Sequence, residues 1–293
     1  MSITRNSTTG KTALLTSALI WGISFVAVQE ALNRGWTPFI LLAFRGLLAS
    51  AAISLVAFRR PFWRNKGLML YGFLAGVVLF VGFVFQTYGQ IYSTVSNASF
   101  ITVQYVVFIP LLMFRKRKIT TSVILGVGLS VIGTGFLTLN DSFSFQLGDV
   151  LLVACAVVFA LHIVVIEKLA KYNDVMAATL IQVFTVSILG FGISAFTQPV
   201  IPTEGWIYVL YAGLFASGLA FLLQIYGQKH VNSTISGILL AFEALFGALG
   251  AVLILHEPFS KNTLIGGFLM MCAVFMVELG PRIGVKLKRG DYD

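Results

Sequence analysis

The chain has 293 residues, of which 58% are hydrophobic and 11% are charged, and its formal net charge is +9. Soluble domains carry about 25% charged residues, so this composition excludes a water-soluble globular protein and indicates an all-α integral membrane protein. The basic residues form short runs between apolar stretches and build no basic recognition helix. We therefore expect no nucleic-acid partner.

Apolar stretches divide the chain into ten segments. A bilayer core about 30 Å thick requires about 20 apolar residues per helix. Helix 1 is longer than the apolar region of a signal peptide and lacks a small-residue cleavage site, so we expect it to stay in the membrane. The predicted transmembrane helices, helix 1 to helix 10, lie at residues 12–32, 38–58, 67–90, 93–114, 120–139, 148–169, 177–196, 206–228, 233–255 and 264–280.

The basic residues lie almost entirely in alternate loops. Of the 20 lysines and arginines, 17 fall on one side of the membrane, Arg34 and Lys261 fall on the other, and Arg45 lies within helix 2. By the positive-inside rule, the side with more basic residues is cytoplasmic. We therefore expect a multi-pass protein of the cytoplasmic (inner) membrane with both termini in the cytoplasm.

An internal repeat relates the two halves of the chain. Residues 83–90 (FVFQTYGQ) and 221–228 (FLLQIYGQ) share five of eight residues at a spacing of 138. The same spacing relates three further pairs: Ala18 and Ala156, Ala57 and Ala195, and Phe58 and Phe196. Each repeat then contains five helices, and an odd number inverts the second copy in the membrane.

The repeat sets the expected domain organisation. We predict ten transmembrane helices arranged as two inverted five-helix repeats, the first at residues 1–139 and the second at 148–282, followed by a basic cytoplasmic tail at 283–293. Many secondary transporters have this architecture, with a substrate site near the midplane between the halves. Rocking of one half against the other exposes such a site alternately to the two sides.

Short segments along nearly the whole chain resemble one transporter family. They are ALIWGISF at 18–25, Arg45, ASFI at 98–101 through Pro110, the glycines from Gly126 to Gly135, LAFE at 240–243 through Glu257, and Gly266 with Gly267. Together they resemble the drug/metabolite transporter superfamily, EamA type. The resemblance implies two five-helix bundles, a central cavity lined mainly by helices 1, 3, 4, 6, 8 and 9, and export of amino acids or other small metabolites and drugs. The family often has proline after the acidic residue of helix 9, where this chain has Ala244.

Three ionisable residues lie within predicted helices, where charge is costly and usually faces the bundle interior. Glu243 is a candidate substrate-binding and coupling residue, and the alternative is a protonated or paired structural carboxyl group. His162 is a second candidate for both roles, at a depth similar to that of Glu243, although a lone histidine is often a packing residue. For Arg45 we expect a structural contact to backbone carbonyls, or snorkelling, rather than binding of a carboxylate.

Polar and aromatic residues recur at helical spacing in helices 1 and 4. Asn97 and Gln104 share one face of helix 4 with Tyr105 beside it, and Pro110 predicts a kink near the end of that helix. Trp21 and Ser24 form a comparable stripe on helix 1. We predict that Trp21, Ser24, Asn97, Gln104 and Tyr105 bind substrate. Gln86, Tyr88, Gln224 and Tyr226 are candidate gates above and below the cavity, and the alternative for the tyrosines is an interfacial aromatic belt.

No motif in the sequence indicates enzyme chemistry. We find no nucleotide-binding loop, no His-Glu-x-x-His and no Gly-x-Ser-x-Gly, so we expect no enzyme activity, no nucleotide and no cofactor. Cys155 and Cys272 lie inside apolar segments, which predicts neither a disulfide nor a metal site.

These observations predict a secondary transporter, which we expect to be monomeric, with a small-molecule substrate and the lipid bilayer as its partners. It would export amino acids or similar amphipathic metabolites by alternating access. Three alternatives remain open: a multidrug or organic-cation exporter, a membrane-embedded enzyme acting on lipid, and a receptor or scaffold.

Overall fold

The computed structural model describes residues 7–57, 62–112, 120–138, 146–172, 174–197, 200–231, 233–258 and 260–290. Within these ranges the chain forms helices and no strands. We number the membrane helices α1 to α10 in chain order. Their bounds are Thr8–Asn33, Pro38–Ala57, Lys66–Ile91, Val95–Leu112, Thr121–Thr138, Leu147–Leu169, Val175–Thr197, Trp206–His230, Ser233–Ile254 and Lys261–Gly290.

The ten helices correspond one for one to the predicted helices. Eight are long and apolar enough to cross a membrane, and α5 and α10 contain shorter apolar stretches, Thr121–Leu137 and Lys261–Val277. A helix pairs its backbone N–H and C=O groups within itself, as the hydrocarbon interior requires. The prediction of an all-α membrane protein with ten helices is therefore confirmed. Of the basic residues that predicted its orientation, Arg5, Arg59, Arg60 and those at 115–118 lie outside the described residues.

Helix α4 is interrupted in its middle. It runs as Val95–Thr102, breaks at residues 103 and 104, and resumes as Tyr105–Leu112. At the break, the N–H of Gln104 donates to the carbonyl of Ile101, which is the tighter spacing of a 3-10 turn. The interruption lies six residues before Pro110, near which the sequence predicts a kink.

Two further helices differ from the expectation. In α8, residues Tyr211–Leu219 form a π-helix between two α-helical segments, a widened arrangement that is rare and often found at functional sites. In α10 the helix continues to Gly290, so the predicted tail at 283–293 is helical over 283–290, and 291–293 lie outside the described residues. Hydropathy marks the end of the apolar stretch, and the helical backbone of α10 continues beyond it.

The packing of the helices repeats after five. Helix α1 packs on α8 and α9, and correspondingly α6 packs on α3 and α4, while α2 packs on α7, α4 on α9 and α5 on α10. These contacts interchange when each helix is replaced by the helix five places away, as an inverted repeat requires. The same relation holds for two glycine contacts at a spacing of 138: Gly89 with Leu152 and Gly148, and Gly227 with Leu14 and Gly10.

The spacing is different in α2 and α7. Gly46 lies against the backbone nitrogen of Ser187, and Gly190 lies against the backbone nitrogen of Ala43. These two glycine contacts are related by 144 residues. The predicted match of Ala57 with Ala195 at 138 stays a prediction, and Phe58, of the match with Phe196, lies outside the described residues. Loops tolerate changes of length, and the six-residue difference is taken up by the connections before and after α7.

A loop residue joins the two repeats at the face where α1 ends, which we call the far face. The Glu257 carboxylate accepts hydrogen bonds from the backbone N–H groups of Val95 and Ser96, at 2.7 and 3.1 Å, and from the Ser96 hydroxyl at 2.8 Å. The preceding residue, His256, has a φ of 55°, and the Glu257 N–H donates to the carbonyl of Ala251. This turn ends α9 and directs Glu257 to the start of α4. We call the contact the far-face clamp.

Candidate functional site

A cavity lies where seven helices from both repeats meet. It contains about 520 Å³ of unoccupied space, part of it open to the surroundings. Trp21, Tyr105 and Glu243 lie near the middle of α1, α4 and α9. Six of the seven lining helices are those that the family resemblance implied, and the seventh is α2. The lining residues are Trp21, Ser24, Phe25, Arg45, Leu79, Phe83, Gln86, Tyr105, Phe159, His162, Ile163, Phe221, Gln224 and Glu243.

The lining is built almost entirely from repeat-related residues. Twelve of the fourteen form six pairs at the spacing of 138: Trp21 with Phe159, Ser24 with His162, Phe25 with Ile163, Phe83 with Phe221, Gln86 with Gln224, and Tyr105 with Glu243. The remaining two are Arg45 and Leu79. The cavity therefore lies on the axis that relates the two repeats, and its shape is more symmetric than its charge.

Four aromatic rings form one continuous row along the cavity, which we call the aromatic row. Trp21 packs on Phe221 with ring centres 5.1 Å apart, Phe221 on Phe83 at 6.3 Å, and Phe83 on Phe159 at 5.8 Å. All three contacts are edge-to-face, an arrangement that aromatic rings prefer. The row provides an apolar wall for the hydrophobic part of a ligand.

Glu243 is a buried carboxyl group, with 4% of its surface exposed. Its side chain interacts with Tyr105, to which the repeat relates it. Among the described residues, no lysine, arginine or histidine lies within ion-pair distance of its carboxylate. A carboxyl group without a cation at membrane depth, on the wall of a cavity, can bind a proton or a ligand amine.

His162 is equally buried, at 3% exposure. Its Nε2 lies 3.1 Å from Oε1 of Gln182 in α7, and its ring packs edge-on against Phe221. The ring thus has one polar partner and lines the same cavity as Glu243, although the two side chains form no ion pair. Ser24, its repeat-related residue, donates its hydroxyl to the carbonyl of Trp21 at 2.8 Å.

Arg45 differs most from its sequence-based expectation. It is 2% exposed, its Nε donates to Oγ of Ser217 at 2.8 Å, and its Cζ lies 3.9 Å from the ring centre of Phe83. In the part of the chain that the structure describes, Arg45 donates to no backbone carbonyl, and its side chain points into the cavity rather than toward an interface. Arg45 thus contacts Ser217 and Phe83 on the cavity wall instead of the expected carbonyl or interface, and its structural role stays a prediction.

The π-helical segment of α8 forms hydrogen bonds with one cavity residue of α1 and one of α2. It contains Ser217, the partner of Arg45. Its Ala216 carbonyl also accepts the Nε1–H of Trp21 at 2.9 Å. A π-helix leaves carbonyls and side chains displaced from α-helical positions, and here they fix one residue of α1 and one of α2.

Asn97 and Gln104, two of the predicted substrate-binding residues, lie outside the cavity lining. The Asn97 amide donates to the Leu137 carbonyl at 2.9 Å, and the Gln104 amide oxygen accepts the hydroxyl of Ser130. Both partners belong to α5. Asn97 and Gln104 thus share one face of α4, as their spacing predicts, but this face contacts α5. The neighbouring Tyr105 does line the cavity.

The four candidate gate residues separate into two groups. Gln86 and Gln224 line the cavity. Tyr88 packs on Phe39, with ring centres 5.8 Å apart, and Tyr226 is 40% exposed beside His230. The tyrosines lie outside the lining, so their positions favour the alternative of an aromatic belt.

Sequence reasoning missed several lining residues, although the repeat contained the signal for them. The spacing of 138 applied to Trp21 gives Phe159, and the repeated segment itself contains Phe83 and Phe221. Leu79, Phe25 and Ile163 carry no polar signal. Within the described ranges, no three His, Cys, Asp or Glu residues are grouped to hold a metal ion.

Comparison with known proteins agrees with this architecture. The EamA-like transporter family matches the chain twice, at residues 8–139 and 146–279. An uncharacterized transporter of Archaeoglobus fulgidus is 31% identical over 89% of this chain and 83% of its own length. The biotin transporter of Escherichia coli K12 is 23% identical over 90% of this chain and 91% of its own.

One solved crystal structure, 17% identical in sequence, superposes with a TM-score of 0.68 over 94% of this chain and 99% of that chain. At this identity the likeness concerns the fold alone. Because the family matches both halves, at the positions where the helices repeat, this chain belongs to the EamA-like transporter family and is a membrane transporter.

Proposed function

We propose that the protein is a secondary transporter that moves small amphipathic metabolites, such as amino acids, by alternating access, with the central cavity as its substrate site. The supporting observation is that the lining is formed by repeat-related residues from both halves. A site on the axis between two halves remains in contact with both when one rocks against the other. In this proposal the transporter acts as a monomer, its partners are the substrate and lipid, and net transport is export, as the family resemblance implies.

The side chains of the cavity suggest how a substrate is held. The aromatic row contacts the apolar part of the substrate, and Gln86 and Gln224 supply amide groups. Glu243 binds a substrate amine or a coupling proton, and His162 is a second candidate for proton transfer. None of these roles requires a cofactor or a nucleotide.

The organic-cation alternative is supported by the aromatic row together with the carboxyl group of Glu243. Aromatic faces and a carboxylate attract cations. A compound panel therefore contains amino acids, aromatic amines, quaternary ammonium compounds and biotin, the last because one relative is named as a biotin transporter. The compounds that move, and the side on which they accumulate, determine substrate class and direction.

The first experiment measures flux of this panel into and out of proteoliposomes, with and without a pH gradient, for the native protein and Glu243→Gln. If Glu243 binds a proton or a substrate amine, the Glu243→Gln variant loses flux, or its flux no longer depends on the pH gradient. The reason is that the glutamine side chain cannot change charge. The matched control is Glu204→Gln, since Glu204 is an exposed carboxylate away from the cavity.

Two results would contradict this proposal. Equal, pH-dependent flux in the native protein and in Glu243→Gln would make Glu243 a structural residue. No flux of any compound by folded native protein would remove the transport function proposed for this cavity and would favour a receptor or an enzyme.

A further inference from the structure

Charge is distributed unevenly over a cavity whose shape is nearly symmetric. The repeat replaces Ser24 by His162 and Tyr105 by Glu243. At the spacing of 144 found between α2 and α7, Arg45 corresponds to Leu189, which is not part of the lining. Arg45 is therefore the permanently charged cation of the described lining, and it is present in one repeat only.

The polar contacts of Arg45 use a small part of its hydrogen-bonding capacity. A guanidinium group has five N–H donors in a planar fork, and the described contacts use the Nε–H alone, toward Ser217. Phe83 contributes a cation–π contact at 3.9 Å. Within the described part of the chain, no carboxylate lies within ion-pair distance of Arg45, so its two terminal nitrogens retain their donors beside the cavity.

An unpaired cation at membrane depth is unfavourable, and the protein lowers this cost only in part. One neutral hydrogen bond and one aromatic face stabilise the guanidinium less than a carboxylate does. Glu243 lines the same cavity, yet the two side chains form no ion pair. The cavity therefore presents a separated cation and carboxyl group together with the aromatic row.

We propose that Arg45 binds a carboxylate of the substrate through its terminal nitrogens, so that the substrates are small amphipathic carboxylic acids, including zwitterions whose amine faces Glu243. A planar fork matches a carboxylate with two parallel hydrogen bonds. This inference rests on the proposed function, because it requires the cavity to be the substrate site. Amines that lack a carboxylate would be poor substrates.

The test uses pairs of compounds that differ in the carboxylate alone. Phenylalanine is compared with its carboxamide and with phenethylamine, and biotin with its carboxamide, as competitors of flux in proteoliposomes and as stabilisers of purified protein against heat. For any pair that binds, we expect the acid to reach half-saturation at a concentration at least about tenfold lower than its carboxamide. This is the size of effect that other hydrogen bonds to charged groups produce. In Arg45→Gln this preference should fall to less than about threefold.

Three further variants separate a binding role from a structural one. Arg45→Lys keeps the charge without the fork and should retain part of the preference for acids. Ser217→Ala removes the Nε partner and should weaken binding of acids while keeping their preference over amides. Arg34→Gln, a cation outside the cavity, should leave the preference unchanged.

The outcomes distinguish this inference from the proposed function. Native protein that transports amides or amines as well as the matching acids would be a transporter and would overturn the role of Arg45. Absence of flux for every compound would overturn the proposed function and this inference with it. If Arg45→Gln does not fold, the native preference for acids and its reduction in Arg45→Lys decide the question.

Discussion

Glu257 shows how one loop residue can stabilise a helix in the other repeat. The first N–H groups of a helix have no partner within it, and Val95 and Ser96 are buried, so water does not reach them easily. The Glu257 carboxylate accepts from both, and its negative charge interacts favourably with the helix N-terminus. The left-handed backbone of His256, which is unfavourable for a residue other than glycine, is offset by this contact.

We expect Glu257→Ala to lower the free energy of unfolding by about 1–3 kcal/mol, because two buried N–H groups lose their acceptor. The measurement is the apparent melting temperature of the purified protein. The control is Glu30→Gln: Glu30 accepts a hydrogen bond from Arg34 and thereby raises the pKa of that guanidinium, but the pair is partly exposed. Exposed ion pairs stabilise little, so equal losses in the two variants would contradict the prediction.

The residues of the cavity were predictable to different degrees. Trp21, Tyr105, His162 and Glu243 stand out because polar or large side chains in the middle of a membrane helix need an explanation, and all four line the cavity. Arg45 stood out equally, yet its position on the cavity wall depends on Ser217. Ser217 approaches α2 from a π-helical segment that has ordinary hydropathy, so nothing in the sequence pattern indicates this contact.

Glycines set the distance between α2 and α7. A Cβ on Gly46 would lie 2.7 Å from the backbone nitrogen of Ser187 and from the carbonyl oxygen of Val183. Backbone atoms cannot move aside as a side chain can, so any larger residue separates the two helices. Small residues commonly permit such close approach between membrane helices, and Gly190 provides the equivalent contact on the other side of the axis.

We expect Gly46→Ala to destabilise the protein by about 1–3 kcal/mol, the usual cost of overpacking. Gly128→Ala is the matched control, because a Cβ there meets nothing within 4 Å and alanine favours a helix interior over glycine by about 0.5–1 kcal/mol. The comparison is made by thermal unfolding in the same detergent. A Gly46→Ala protein as stable as Gly128→Ala would show that the two helices separate at no cost.

The breaks in regular helices were the least predictable elements. Periodicity placed Asn97 and Gln104 on one face of α4 with Tyr105 beside it, and it did not indicate that the amide face contacts α5 or that the helix breaks at residues 103 and 104. Hydropathy registers that such a segment is apolar and long enough to cross the membrane. It carries no information about a change in hydrogen-bonding pattern within the segment.

The ten-helix architecture was predictable because lipid imposes a minimum length and full backbone pairing on every crossing. The repeat added which helices pack together, since an inverted duplication relates α1–α8 to α6–α3. The spacing of 138 then predicts most of the cavity without reference to chemistry. In α2 and α7 the close glycine contacts are related by 144 residues instead.

Orientation in the membrane is a prediction from the distribution of basic residues, and cysteine labelling tests it. In a background without Cys155 and Cys272, we expect Thr203→Cys, in the loop before α8, to react in intact cells with a maleimide that cannot cross membranes. Asn65→Cys, before α3, should react only after the membrane is opened, because the positive-inside rule places it in the cytoplasm. Both positions are exposed. The reverse pattern would invert the assigned topology.

At the position 138 residues before Glu257, the acceptor of the far-face clamp, the sequence has Ile119, whose side chain has no hydrogen-bond acceptor. In the alternating-access cycle that we propose, opening the far face breaks the hydrogen bonds of the Glu257 carboxylate. The far-face clamp therefore adds to the work needed to open that face. We expect this work to change the half-saturation concentration measured from that side, while the concentration ratio reached at equilibrium depends on the driving gradient alone.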